Sequence, residues 1–253
     1  MPATATPHPT LAQFPSERLT LSAGIAIFHL ATSRVVICYH TTKHFYFLPK
    51  GRKNANESLE RAAEREGFEE SGYRCRLLPL AMKHRATYSS DVAGEGEGGE
   101  GRFATEPCWM QLMPVGKSTQ YTLFWFVGET VPSEVERGYA AAGQGQGKGV
   151  YRPPEPWPRG LTVRERIKLD VVGDGEGGTR VYEPVWHDGM AQDEDEMCFR
   201  SYFMPVDEAC RVLRGSVMED VVRRGWEGIQ LRMRMEEDAA AAAAVAEEGG
   251  EIG

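Results

Sequence analysis

Cysteine pairs, long apolar runs and an excess of positive charge are all missing from this chain, and each absence removes a class of function. The five cysteines, Cys38, Cys75, Cys108, Cys198 and Cys210, are scattered with no CxxC spacing. That excludes a disulfide framework and a thiolate zinc site, and it fits a reducing compartment. The longest apolar stretch near the C-terminus, Ala239 to Ala246, is mostly alanine and too short to cross a bilayer. Met1 to Phe14 has neither an apolar core nor early basic residues, so it reads as neither a secretory signal nor a transit peptide. A cytoplasmic location, with the nucleus open, is the expectation. The formal net charge of -8 gives no general attraction to nucleic acid or to acidic membranes. A polyanionic substrate would have to be captured locally. No internal repeat is visible.

What is present is unevenly distributed. With 41% hydrophobic residues the chain can build a substantial core. Apolar runs cover Leu19 to Leu48, Arg74 to Met82, Cys108 to Val127 and Cys198 to Leu231. Leu19 to Leu30 and Val35 to His40 read as a hairpin, followed by a short strand at Phe45 to Leu48 and another at Tyr73 to Met82. Two more strands surround a turn at Lys117, Cys108 to Met113 and Gln120 to Val127, after a Gly- and Glu-rich surface loop at Gly94 to Gly101. Phe199 to Met204 reads as a last strand, followed by helices at Glu208 to Leu213 and Val217 to Met235.

The domain reading is a disordered segment over 1–17, one domain over 18–236 with a long insertion at about 131–196, and a disordered, acidic, Ala-rich tail over 237–253. The insertion carries GQGQGKG, RPPEPWP and GDGEGG, compositions poor in apolar residues. Within it, Leu161 to Val172 and Arg180 to Trp186 could pair as a small hairpin. Removing Val131 to Lys148, together with the tail after Glu237, is therefore expected to leave the melting temperature nearly unchanged.

The chemistry concentrates in Gly51 to Tyr73, GRKNANESLERAAEREGFEESGY. Three- and four-residue steps predict a helix from about Glu57 to about Ser71, with Asn56 as N-cap and Gly72 as the stop. Glu66 and Glu70 then share one face, with Glu69 beside them. Like charges one turn apart repel by a few tenths of a kcal/mol, so a cation is expected there. Carboxylates with water and substrate phosphate are the usual Mg2+ environment. Arg65 lies eight residues beyond Glu57 on roughly the same side, so a bidentate pair could brace the preceding loop. Gly51 opens that loop, where glycine allows a close approach of the backbone. Lys50 and Arg52 flank it and can contact phosphate oxygens, or serve as solvated loop charges. The histidines His29, His40, His44 and His84 have no ligand spacing to one another and read as structural. The aromatics Tyr46, Tyr88, Trp109, Tyr121 and Trp125 could stack on a base or pack in the core, and core is the preferred reading.

Gly51, Glu57, Arg65, Glu66, Glu69, Glu70, Gly72 and Tyr73 resemble the Nudix box, G-x5-E-x7-R-E-U-x-E-E-x-G-U, where U is bulky and apolar. One position departs: Gly67 stands where an aliphatic residue is preferred, at a cost of roughly 0.5–1 kcal/mol of helix stability. The resemblance covers about Leu19 to Val127 and Cys198 to Met235. It implies an α/β/α sandwich with a mixed β-sheet and Mg2+-dependent hydrolysis of a diphosphate linkage, with Mn2+ as an alternative metal. It further implies Glu66 and Glu70 as the principal ligands, Glu69 assisting, the Gly51 carbonyl completing the shell, and Glu57 with Arg65 as the brace. The general base would be Glu66 or Glu69, or a loop acid such as Glu194 or Glu196, a run that also reads as a solvated acidic surface. The substrate would be a phosphorylated small molecule: a nucleoside diphosphate derivative, a dinucleoside polyphosphate or a diphosphoinositol polyphosphate. Two alternatives stand beside it, mRNA decapping and a catalytically silent Nudix-like ligand-binding module. The acidic balance and the lack of a basic helix speak against nucleic acid. The oligomeric state is not legible.

Overall fold

A computed structural model describes residues 9, 11–87, 103–141, 151–175, 177–188, 194 and 196–250. Tyr88, the Gly94 to Gly101 loop, the GQGQGKG run and most of the N-terminal segment lie outside the described residues.

The central strand is β1 (Leu19–His29), and its composition follows from being covered on both faces. Ala23, Ile25 and Ile27 face one buried cluster, whereas Ala26 and Phe28 face another. β1 runs parallel to β7 (Thr119–Thr130) from Leu19 opposite Gln120 to Phe28 opposite Glu129. It turns antiparallel into β2 (Arg34–His40) through Ser33, which adopts a left-handed φ of 52°. Antiparallel pairing adds β3 (Phe45–Phe47) to β2, β4 (Lys50–Arg52) to β1, and both β5 (Cys75–Leu77) and β6 (Trp109–Val115) to β7. β10 (Phe199–Pro205) closes the far edge on β2. The result is a mixed eight-stranded sheet with the path β10-β2-β1-β7-β5. The strand expected over Tyr73 to Met82 is confined to Cys75–Leu77, the only part of it that pairs with β7 in a ladder.

Helix α1 (Leu59–Ser71) covers one face through Ala62 and Ala63, packed with Ala23, Ile25, Ile27 and Phe126. Its N-cap is Ser58, whose side chain accepts from the Arg61 amide, and not Asn56. Asn56 has a φ of 63° and belongs to the preceding turn, whereas an N-cap needs extended backbone. Gly67 sits so close to the sheet that a Cβ there would lie 2.8 Å from Ile25 Cγ2 and 2.9 Å from Cys75 Sγ. The apparent defect in helix propensity is thus the condition for the close packing of α1.

The insertion is ordered where it is described. It holds α2 (Ser133–Ala141), α3 (Val163–Lys168) and a two-stranded ribbon of β8 (Val171–Gly173) with β9 (Thr179–Val181). The expected hairpin is shorter than its sequence limits because Leu161 to Val172 begins with a helix. Thr162 and Glu165 form a capping box for it, a T-x-x-E signal present in the sequence.

Helix α4 (Val206–Val212) and helix α5 (Val217–Gly250) cover the second face, where Val221, Val222 and Ile229 join Phe28 and Val127. Of the stretch expected as a disordered tail, residues 237–250 continue α5 as helix, exposed over 237–246, in keeping with alanine's helix propensity, and 251–253 lie outside the described residues. Among the described residues no helix is long and apolar enough to cross a membrane.

Candidate active site

The pairing of β4 with β1 sets Gly51 opposite Ala23 and brings the loop against α1. A Cβ on Gly51 would fall 2.0 Å from Glu66 Oε2, so only glycine lets this backbone and this carboxylate meet. Lys50 donates its amide to Glu70 Oε2 at 2.7 Å, which fixes the other end of β4 to the last turn of α1.

Arg65 is the hub. Its Nε and Nη2 form a fork on Glu57 at 2.8 and 2.9 Å. Its Nη1 donates to Glu66 Oε1 and Glu69 Oε2, both at 2.8 Å, and its Nη2 also reaches the Arg52 carbonyl at 2.9 Å. The expected Glu57 brace is therefore one arm of a larger clamp, because the guanidinium's fixed planar donors reach three carboxylates and the loop at once. Glu57 is further held by the Asn54 amide at 2.8 Å.

The acids respond to these surroundings. Burial opposes the charge on Glu57, but the Arg65 fork and the Asn54 amide outweigh it and hold its carboxyl below the usual range. Burial pushes Glu66 up to about 7 against the pull of Arg65, with Glu69 and Glu196 adding repulsion. Burial also raises Glu69 against Arg65. Glu70 is pushed up to about 8 by burial, opposed by Lys50 and reinforced by Glu66 and Glu196. Glu64 rises to about 7 through burial, but it faces the sheet, where it accepts from the Leu77 amide at 2.9 Å.

The structure thus brings Glu57, Arg65, Glu66, Glu69, Glu70 and Gly51 together, with Lys50 and Arg52 on the adjoining strand. Glu196 lines the same cleft as Glu69 and Glu70, so the acidic run read as solvated contributes one residue to it. Glu194 is exposed. His29 is buried beside Asp170, in line with a structural role. Trp186 and His187 were not singled out by sequence, yet both line the cleft. The one available signal was an aromatic and a histidine in an otherwise polar insertion, which is too weak to assign a role.

The donors fit a hard divalent cation in kind: all are oxygen, they meet at a backbone cradle that a Cβ would fill, and burial, with repulsion between the acids added to it, raises Glu66, Glu69 and Glu70 together. Among the described residues no three His, Cys, Asp or Glu side chains converge as a complete cage. Mg2+ commonly takes one or two carboxylates and completes its shell with water and phosphate.

Replacing Arg65 with alanine is expected to destabilise the fold more than replacing Glu57, because Arg65 serves three acids and Glu57 only one arginine. The two losses should be non-additive by about 1–2 kcal/mol in a double-mutant cycle of thermal unfolding. Strictly additive losses would show that the fork does not couple them.

A mixed sheet with helices on both faces, with a glycine loop and an acidic helix joined by one arginine, defines the class of protein. Residues 19–135 match the family described as the NUDIX domain. The chain thus carries a Nudix domain over those residues. Among solved structures it is similar to a NUDIX-family hydrolase from Clostridium perfringens, at 13% identity and a TM-score of 0.38, over 83% of this chain and 96% of that one. It is also similar to an Ap4A hydrolase from C. elegans, at 12% identity and a TM-score of 0.35, over 81% and 93%. An E. coli dihydroneopterin triphosphate pyrophosphohydrolase matches at 12% identity and a TM-score of 0.34, over 81% and 92%. No curated protein matches the chain in sequence.

Proposed function

We propose that this protein is a Mg2+-dependent hydrolase that cleaves the diphosphate linkage of a phosphorylated small molecule. The observation that carries this reading is the Arg65 clamp, which draws Glu57, Glu66, Glu69 and the Arg52 carbonyl around the Gly51 loop. Glu66 and Glu70, assisted by Glu69 and the Gly51 carbonyl, would hold Mg2+, and Mn2+ suits the same donors. When bound, the ion neutralises phosphate oxygens and lowers the pKa of a coordinated water. Lys50 and Arg52 bind the substrate's phosphates. Arg65 keeps the three carboxylates oriented. Glu66, Glu69 or Glu196 accepts a proton from the attacking water. The water oxygen bonds to one phosphorus, the bridging P–O bond breaks, and the bridging oxygen leaves with the second phosphate.

The test is product identification with Mg2+ and with EDTA across nucleoside diphosphate derivatives, dinucleoside polyphosphates, diphosphoinositol polyphosphates and capped RNA. Mg2+-dependent release of two phosphate-bearing products from a small molecule is expected. Binding without cleavage of any of them would overturn the reading.

The raised acids also predict a pH dependence. Glu66 and Glu70 lie above the ordinary 4.5 in the folded protein, at about 7 and about 8, so between 4.5 and about 8 the folded state holds more protons than the unfolded one. Metal-free stability therefore falls as pH rises through that window. The melting temperature in EDTA should be lower at a pH of about 8 than at about 6, and Mg2+ should raise it more at the higher pH. An EDTA melting temperature that rises over this interval would contradict the assigned burial of these acids.

A further inference from the structure

The cleft beside α1 has a second wall, built by the insertion. A cavity of about 310 Å³ lies between the last turn of α1 at Glu69 and Glu70, the start of β10, and the segment Trp186 to Asp188. That volume is at the lower end of small-molecule sites and has room for one nucleoside.

The wall is firmly held. The His187 amide donates to the Gly72 carbonyl at 2.9 Å, and Trp186 forms an isolated antiparallel bridge with Tyr73. The His187 ring meets Glu136 Oε1 at 2.8 Å, and Glu136 Oε2 lies 3.4 Å from Arg74 Nε. The Arg74 guanidinium is sandwiched between the rings of Phe68, on α1, and Tyr139, on α2, at 4.6 and 4.0 Å. Gly72 has a φ of +75°, and a Cβ there would lie 2.6 Å from Trp186 Nε1. The indole edge thus rests on the C-cap of the box helix. Even so, Trp186 remains 48% exposed. A large aromatic surface is held on a rigid support at the cleft, where few mobile groups need ordering when a ligand arrives.

We infer that Trp186 is the platform on which the base of a nucleoside diphosphate derivative stacks, with the diphosphate directed toward Glu66 and Glu70. The inference rests on the proposed hydrolase reading and narrows its substrate class. Two features of the wall carry it. Nucleobases stack on aromatic side chains because every base presents a π-face. The cleft is also lined by Glu69, Glu70, Asp188 and Glu196 against Arg200. Such a wall suits a substrate whose charge is confined to the diphosphate. An inositol ring carrying phosphate on several carbons would place anions against these acids, where each needs a cation.

The test compares the wild type, Trp186→Phe and Trp186→Ala, first checked for unchanged thermal unfolding, on ADP-ribose and on base-free ribose 5-diphosphate with Mg2+. Trp186→Ala is expected to raise KM for ADP-ribose about tenfold more than for ribose 5-diphosphate, with kcat within about twofold, and Trp186→Phe should restore most of the loss. Calorimetry with α,β-methylene-ADP, which cannot be cleaved at the bridge, should show a Kd about tenfold weaker for Trp186→Ala. Equal KM changes on both substrates with an unchanged Kd, or no binding of the analogue to the wild type, would overturn the inference. Should the wild type cleave no diphosphate, the hydrolase reading fails, and the calorimetric comparison alone still decides the role of Trp186.

Discussion

Glu70→Gln is expected to stop turnover while the protein stays folded. The sequence places Glu70 on an exposed helix face, but the structure half-buries it in the cleft wall. Its Oε2 accepts the Lys50 amide at 2.7 Å, a bond that a glutamine oxygen can also accept, and the side-chain volume is unchanged. What disappears is the negative charge. Because burial pushes this carboxyl up to about 8, ionising it near neutral pH costs the metal-free fold stability. The variant should therefore melt in EDTA at the wild-type temperature or above it, and it should lose the stabilisation that Mg2+ confers. Loss of an outer-shell partner of a metal typically costs 10- to 100-fold in activity, and loss of a direct ligand should exceed that. Circular dichroism melts and Mg2+-dependent kinetics measure both halves, and undiminished turnover would remove Glu70 from the metal site.

Arg166→Ala should cause the largest loss of stability, and it reverses an expectation drawn from composition. Arg166 and Asp170, both in the insertion, are fully buried, as are His29 and Glu129 of the sheet. Arg166 Nε lies 2.6 Å from Glu129 Oε2, its Nη1 2.9 Å from Asp170 Oδ2, and its Nη2 donates to the Thr130 carbonyl at 2.7 Å. Arg76 Nε completes the set on Glu129 Oε1 at 2.7 Å. Two arginines balance two acids, and removing one arginine leaves buried carboxylates uncompensated. Losses of about 3–5 kcal/mol follow from breaking buried pairs in this way. In a chain of this size that lowers Tm by roughly 6–20 °C. Deleting Val131 to Lys148 should likewise destabilise, since it removes the buried Val131 and the Glu136 partner of Arg74 and His187. An Arg166→Ala melt within a degree or two of wild type would show that the insertion does not share the core's cooperative unfolding.

The box helix was legible because its signals are local. Periodicity, the glycine stop and the spacing of Glu57, Arg65, Glu66, Glu69 and Glu70 are all contained in one short segment, and so was the alternation that makes β1 two-faced. Its N-cap was misplaced by two residues because Asn56 and Ser58 are both good capping types, and only the backbone angles separate them. The insertion was misread for the opposite reason. Its anchoring comes from ion pairs such as Arg166 with Glu129, from amide bonds such as His187 to Gly72, and from the sandwich around Arg74. None of these leaves a periodic apolar pattern.

By itself the sequence determined the mixed α/β class, the box helix with its stop at Gly72, and the acids and arginine that converge on the Gly51 loop, because those depend on neighbours within about two helical turns. Tertiary structure decided that Arg65 clamps three carboxylates, that Gly67 lets α1 lie against Ile25, and that Glu196 and Trp186 enter the cleft. The clamp needs the Gly51 loop folded onto α1, and the other placements are set by side chains far apart in the chain, whose charges and volumes acquire meaning only once the sheet has brought them within contact distance.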